Sequence, residues 1–498
     1  MSHRRRRRKK KNIRRENHVS KTVGIVIACI QAVISIVFMV VLAQLNMLPT
    51  TYMIVLGCIL ALLCGVILLT QCKAKKRGIA GKLISIILSI SLVFGAFYVV
   101  KANKAVGKIS GGDFKSDNIV VAVGADDKAK DIKDAKSYTF GVQYAMGGND
   151  VKEAVAAISK EVGKEIKVIE YKNLSEQEDA FFADKVQGII YNEAYTGMME
   201  ENDPEYSNAV KVIYKHEIKK ELENSATKVE VKQDTFSVFI SGIDVFGKIT
   251  TNSRSDVNII ATINPTTHQV LLTTTPRDYY VQIPDVTGSQ KDKLTHAGIY
   301  GVDASMRTLS ALYDMKIDFY ARVNFTSLIE MVDVLGGVDV ESDYAFTTSP
   351  ESGKVMQVEK GMNTFDGKEA LAFSRERHNV PDGDNQRGKD QQAVIEGMIN
   401  KMISPTILVN ANGIIDSVSG NVETNMSEEQ IQALIKQQLS DGASWNIQSV
   451  AATGTGDSQY CYSYAGKALY VCQPDQASID HIKALVDSVE NGETITVE

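Results

Sequence analysis

The first hundred residues hold one acidic side chain, Glu16, against 16 lysines and arginines between Arg4 and Lys82. The remainder therefore carries 39 basic and 59 acidic side chains, a net charge of −20 within a chain of overall charge −5. An acidic body with a basic head argues against a nucleic-acid partner, because a nucleic-acid-binding domain concentrates positive charge on its folded part. Cysteine is also scarce. Of six, Cys29, Cys58, Cys64 and Cys72 lie in or beside apolar runs, and only Cys461 and Cys472 lie elsewhere. No zinc signature, Gly-x-Ser-x-Gly elbow or Walker-type phosphate loop occurs, which sets aside the enzyme classes that depend on them. No internal repeat or low-complexity tract follows residue 100.

What the head does contain is three apolar runs, Val23–Leu45, Tyr52–Thr70 and Ile79–Val100. Each is close to the roughly 20 residues that cross a bilayer as a helix. Eight consecutive basic residues, Arg4 to Lys11, precede the first run, and Lys73-Ala74-Lys75-Lys76-Arg77 separates the second from the third. The intervening Asn46–Thr51 is uncharged. Positive residues stay on the cytoplasmic side, so residues 1–22 read as a cytoplasmic tail and 23–100 as three transmembrane helices. Everything after Val100 is then extracytoplasmic, with Lys101, Lys104 and Lys108 as weak counter-evidence. The first run is too long, and has too many successors, for a cleaved signal peptide.

After a linker with Gly111-Gly112, residues 113–228 read as a small α/β domain with a largely parallel sheet. Tyr138–Tyr144, Ile166–Tyr171, Gly188–Tyr191 and Val210–Tyr214 are short apolar runs. Val151, Val155, Ile158 and Val162 mark a helix face, with Asn149 or Asp150 as its cap. Gly147-Gly148 before it reads as a tight turn rather than an anion site. Residues 234–490 form a larger α/β domain whose sheet is mixed, because the strands Val257–Ile263 and Gln269–Thr275 flank the turn Asn264-Pro265-Thr266-Thr267. Helices are expected over Asp303–Met315, Phe325–Leu335 and about 387–403. Cys461 and Cys472 flank a hairpin centred on Gly466-Lys467, which brings them opposite each other. In an oxidising exterior that predicts a disulfide.

Three charged clusters carry the chemistry. The first hairpin, centred near residue 266, pairs position 256 with 276 and sets Arg254-Ser255-Asp256 beside Pro276-Arg277-Asp278. In an extended Ser374–His378, Arg375 and Arg377 point the same way. On the last helix Arg387 and Gln391 share a face with Val394/Ile395, Met398 and Met402. Each cluster alone reads as a surface ion pair. Five arginines in an acidic domain read as a phosphate site, since guanidinium forks match phosphate oxygens. Neighbouring carboxylates suit a divalent metal bridging a pyrophosphate.

Ser241-Gly242-Ile243-Asp244, Arg254-Ser255-Asp256, Pro276-Arg277-Asp278, Asp318-Phe319-Tyr320 with Val323-Asn324-Phe325, Val334–Asp339, Asp366–Ala372 and Arg375-Glu376-Arg377 through Asp384, Arg387 and Gln391 occur in that order. Together, over 234–405, they closely resemble the LytR–CpsA–Psr family. The resemblance implies a phosphotransferase that carries teichoic acid, capsule or a related glycopolymer from a polyprenyl-pyrophosphate carrier to peptidoglycan, working against membrane lipid. It assigns Mg²⁺ (or Mn²⁺) to Asp244 and Asp256. It assigns the pyrophosphate to Arg254, Arg277, Lys293, Arg375, Arg377 and Arg387, with Gln391 assisting. Asp278 and Asp384 are the candidate general bases; His296 and His378 read as structural. The helices at 303–315 and 325–335 are candidate walls for the lipid tail. Asp390 departs from the family pattern and adds an acid beside the arginines. A pyrophosphate hydrolase and a non-catalytic surface regulator remain alternative readings.

Overall fold

The computed structural model describes residues 2–73, 78–109, 114–221, 228–243, 249, 252–381, 383–403 and 422–497. The Gly111-Gly112 linker, residues 74–77 of the basic loop and Asp244 lie outside that set.

Three helices begin the chain: α1 (Ser2–Leu45), α2 (Thr50–Lys73) and α3 (Ile79–Ile109). Their stretches Val19–Leu45, Thr50–Cys72 and Ile79–Lys101 have mean hydropathies of 3.0, 2.9 and 2.5 and are long enough to cross a membrane. Apolar side chains exposed on all sides, such as Ile36, Leu62 and Phe97, fit helices whose solvent is lipid.

The rest of the chain is built on two sheets. The first contains β1 (Phe114–Gly124), β2 (Thr139–Gln143), β3 (Lys167–Tyr171), β4 (Gly188–Asn192) and β5 (Val210–Glu221) in the order β3-β2-β4-β1-β5. Three strands pair in parallel, as the alternating pattern implied. Strand β1 runs antiparallel to both neighbours and makes the sheet mixed. Its leading Lys115-Ser116-Asp117-Asn118 hides the strand from a search for apolar runs, whereas Ile119–Val123 fills the core. Helix α4 (Gly148–Val162) starts earlier than its sequence suggests. Its cap is Gly147, at φ 62°, so the cap is a left-handed glycine turn and not Asn149 or Asp150. Helix α5 (Leu174–Phe182) has the ordinary cap, with the Asn173 side chain accepting from the Glu176 amide. Helix α6 (Thr196–Asn202) buries Met198 and Met199 beneath the sheet.

The second sheet has six strands, with β6 (Phe236–Ile243), β7 (Ser255–Asn264) and β8 (Gln269–Thr274) at its centre. The strand Phe319–Asn324 pairs parallel to β6, and Asn446–Ala451 pairs parallel to β8. Successive residues of β7 face opposite sides. Ile260 packs with Leu309, Tyr313 and Ile482, whereas Ile259 and Ala261 pack with Ile395 and Ile399. Helices on both faces explain why β7 and β8 are apolar without alternation. Each fully buried Ile or Phe contributes roughly 1.5–3 kcal/mol.

One expectation fails here. The strands Gly454–Tyr460 and Ala468–Pro474 pair with Tyr460 opposite Ala468, so the turn centres on Tyr464 and Cys472 lies across from Gly456. Cys461 joins the core of Met198 and Leu469, while Cys472 joins that of Tyr279 and Ile479. Both thiols are free and buried. Denatured without reductant and treated with an alkylating reagent, the peptides carrying Cys461 and Cys472 should each gain one label; a linked, unlabelled pair by mass spectrometry would contradict the register.

Candidate functional site

Strands β6 and Phe319–Asn324 end, and β7 begins, at the same edge of the second sheet. Such edges, outside the carboxyl ends of parallel strands, are where open α/β sheets bind ligands. The β6–β7 ladder pairs Gly242 with Val257 but Ile243 with Ser255, leaving Asp256 as the extra residue of a bulge. Bulges redirect a side chain, and this one turns Asp256 toward the cavity. The β7–β8 register, Ile259 opposite Thr274, continues to place Asp256 across from Arg277, one residue from the expected pairing. The Arg277 Nη1 donates to Asp256 Oδ2 over 2.6 Å, and the Thr295 hydroxyl donates to Oδ1 over 3.1 Å. Burial by itself would raise the Asp256 carboxyl, but Arg277, then Arg254 and Arg387, outweigh it and hold the group far below the usual carboxylate range.

The other arginines arrive from a helical layer. Asp366 and Glu369 form a reciprocal capping box that starts the helix Gly367–Arg375. Arg375 is therefore the last residue of a helix, not part of an extended segment. Its guanidinium lies 4.5 Å from the Phe325 ring centroid, within cation–π range. The buried Glu376 carboxylate accepts from the amides of Arg377, His378 and Asn379 at 3.0, 2.7 and 3.1 Å, and also from Ser349 N. This clasp turns the chain so that Arg377 lines the cavity from an exposed position. Helix Asp384–Ile403 buries Val394 and Met398 against Phe373 and brings Arg387 and Gln391 to the cavity. Gln391 Nε2 donates to Ser374 O over 3.3 Å.

The resulting cavity is about 570 Å³. Arg254, Arg277, Arg375, Arg377, Arg387 and Gln391 all line it, as does Asp256. Lys293 sits beside it, with Nζ 3.1 Å from Asp278 Oδ1. Burial works against the charge of Lys293, but Asp278 and then a second carboxylate outweigh it and raise its pKa. Phe325 and Leu328 form part of an apolar wall, whereas the helix Val302–Tyr313 packs in the core with Leu309 and Tyr313. His296 is buried, its Nδ1 2.6 Å from Asp292 Oδ1, whereas the exposed His378 lines the cavity. Asp384 begins its helix, but its side chain lies outside the described set.

The second carboxylate belongs to Glu201 on α6, a residue that no motif along the chain singles out. Glu201 Oε1 accepts from Arg254 Nη1 at 3.0 Å and Arg277 Nη2 at 2.9 Å, and Oε2 accepts from Lys293 Nζ at 2.7 Å. Burial opposes its charge, yet Lys293, His296, Arg277 and Arg254 hold the carboxyl at about 2. No signal along the chain connects Glu201 to residues 53 to 92 positions away.

Among the described residues no group of three or more His, Cys, Asp or Glu side chains is arranged to hold a metal ion. Mg²⁺ commonly takes only one or two carboxylates and completes its shell with substrate phosphate and water. An ionised Asp256 beside an arginine cavity fits that requirement, with Asp244 beyond the described residues.

Asp390 is buried one residue before Gln391 and accepts from Gln386 Nε2 at 2.9 Å. Burial pushes its carboxyl up to about 7; the Gln386 hydrogen bond lowers it in part, and Asp343 adds to the rise. Its charge thus intrudes less on the arginines than its sequence position suggests. An unfolded Asp titrates near 3.9, so the folded chain holds a proton that the unfolded chain releases. That contribution to stability is complete below about pH 4 and is lost as pH rises through about 7. Asp390→Asn should match the parent near pH 4 and exceed it at pH 8 by on the order of 2–4 kcal/mol in chemical denaturation. A difference that does not change with pH would contradict this environment.

A family model described as the LytR_cpsA_psr family matches residues 204–485. The chain is 31% identical over 261 residues to the polyisoprenyl-teichoic acid–peptidoglycan teichoic acid transferase TagU of Bacillus subtilis, covering 52% of this chain and 79% of that one. It is 32% identical to TagU of Enterococcus faecalis, covering 47% and 74% of the two chains. It is 28% identical to TagU of Oceanobacillus iheyensis, covering 54% and 78%. With more than half its length matched by the family model, this chain belongs to the LytR–CpsA–Psr family.

Proposed function

We propose that the chain is a phosphotransferase that moves a teichoic acid or similar glycopolymer from a polyprenyl-pyrophosphate carrier onto peptidoglycan. The observation that carries the reading is the convergence of five arginines on one cavity beside an ionised aspartate. The names of the relatives support it. Positive residues before α1 and between α2 and α3 favour a cytoplasmic N-terminus, which would put the cavity on the outer side of the membrane.

Phosphoryl transfer needs little covalent help from a protein and much positioning and charge stabilisation. Arg254, Arg277, Arg375, Arg377 and Arg387 would hold the diphosphate oxygens in bidentate pairs, with Lys293 as a point charge. An acceptor sugar hydroxyl attacks the phosphorus that carries the polymer. The bond from that phosphorus to the bridging oxygen breaks, and polyprenyl phosphate leaves with the electron pair. The hydroxyl proton passes to a carboxylate, with Asp278 and Asp384 as candidates. Phe325 and Leu328 offer the prenyl chain an apolar wall. Mg²⁺ or Mn²⁺ bound at Asp244 and Asp256 would supply further positive charge to the non-bridging oxygens.

Arg277→Ala should lower transfer by about 100-fold, since a charged hydrogen bond contributes about 1.5–3 kcal/mol and each 1.4 kcal/mol is about tenfold in rate. Arg277→Lys should restore little, because one ammonium cannot reproduce the fork. Arg307, half exposed and paired with the exposed Asp285, should tolerate alanine. Wild-type transfer by Arg277→Ala would remove this cavity from the reaction.

Excess chelator, or Asp256→Ala, should stop turnover while the fold is retained by circular dichroism. Full activity without a divalent ion would refute the metal assignment. Product analysis separates transfer from hydrolysis: polymer joined to glycan is expected, and free polymer phosphate alone would favour a hydrolase.

A further inference from the structure

Glu201 stands apart from the rest of the site because it is an anion placed where the site is built to receive one. It comes from the first sheet's layer, and its two oxygens take up Arg254, Arg277 and Lys293 together. A carboxylate and a phosphate present similar forks to a guanidinium, so a bound phosphate group and Glu201 would claim the same donors.

The local structure of α6 is fitted to this contact. Gly197 and Glu201 lie one helical turn apart and face the same way. Arg254 Nη1 donates to the Gly197 carbonyl over 3.1 Å as well as to Glu201. A Cβ at position 197 would stand 2.3 Å from the Arg254 guanidinium carbon, so any larger residue there would have to push the guanidinium aside. The opposite side of α6 is fixed by Met198 and Met199 in a core that includes Tyr191, Tyr464 and Leu469.

We propose that Glu201 is a built-in competitor: it occupies Arg254, Arg277 and Lys293 when no substrate is bound, and an incoming pyrophosphate must displace it. The inference rests on the pyrophosphate reading of the cavity. Glu201 brings one negative charge to these donors, whereas a diphosphate brings several and therefore replaces it. A helix packed against the first sheet thereby sets the affinity of a site whose arginines all come from residue 254 onward. Arg375 and Arg377 line the same cavity from the helical wall and provide the initial hold for the ligand. Displacement then frees α6 from Arg254.

The test measures binding of inorganic pyrophosphate to the full-length chain in nanodiscs by calorimetry, independently of any transfer assay. Glu201→Gln keeps the shape and removes the charge, and should bind pyrophosphate at least tenfold more tightly than the wild type. Hydrogen–deuterium exchange on the unaltered chain gives a readout that needs no variant: amides of 196–202 should exchange faster when pyrophosphate saturates the site. Unchanged or weaker binding by Glu201→Gln, or slower exchange in 196–202, would make Glu201 a fixed structural counter-ion and overturn the proposal. If Arg277→Ala abolished pyrophosphate binding in that case, the cavity reading would still stand. No pyrophosphate binding by either wild type or Glu201→Gln would overturn both.

Discussion

Burying positive charge is the constraint that organises this site. Arg254, Arg277 and Lys293 have side chains less than about one-tenth exposed. A charge withdrawn that far from water must be paired, because the cost of desolvation exceeds what packing can offset. The chain answers with Asp256, Asp278 and Glu201, each drawn from a different element. The result is a preassembled set of donors whose positions are fixed before any ligand arrives, which is the condition for electrostatic stabilisation of a phosphoryl group.

That set depends on backbone features a few residues long. The bulge between Gly242 and Ile243 turns Asp256 out of the ladder. A Cβ on Gly242 would lie 2.6 Å from the Val257 side chain, so the close crossing there also depends on glycine. On the helical side, the Asp366–Glu369 box starts a helix that ends at Arg375, and Glu376 then clasps the following amides. The cluster of Val332, Phe365, Phe373, Val394 and Met398 locks these helices together. Two rigid supports thus bring arginines from opposite walls toward one space.

Much of this could be read along the chain where the governing interactions are local. The turn Asn264–Thr267 works because the Asn264 Oδ1 accepts from the Thr266 and Thr267 amides, and it placed Asp256 within one residue of its partner. The periodicity of Val394 and Met398 located the buried face of the last helix, and with it Arg387. The cysteine hairpin misled for a related reason. A symmetric spacing of tyrosines and cysteines admits several turn centres, and the true centre at Tyr464 is chosen by burial of Tyr464 and Ser463 against Glu178 and Asp292. The Arg375–Arg377 segment looked extended because its capping box lies nine residues upstream of Arg375.

The sequence by itself determined the three apolar spans, the mixed α/β class, the family and the set of arginines, since each rests on composition, short-range periodicity or ordered motifs. Tertiary structure alone decided the partners of those arginines. Opposite charges separated by 53 to 92 residues find each other only after two sheets have packed, and nothing in local spacing encodes that meeting. The same holds for the thiols, which belong to different apolar clusters because long-range packing, not their spacing, assigned each its surroundings.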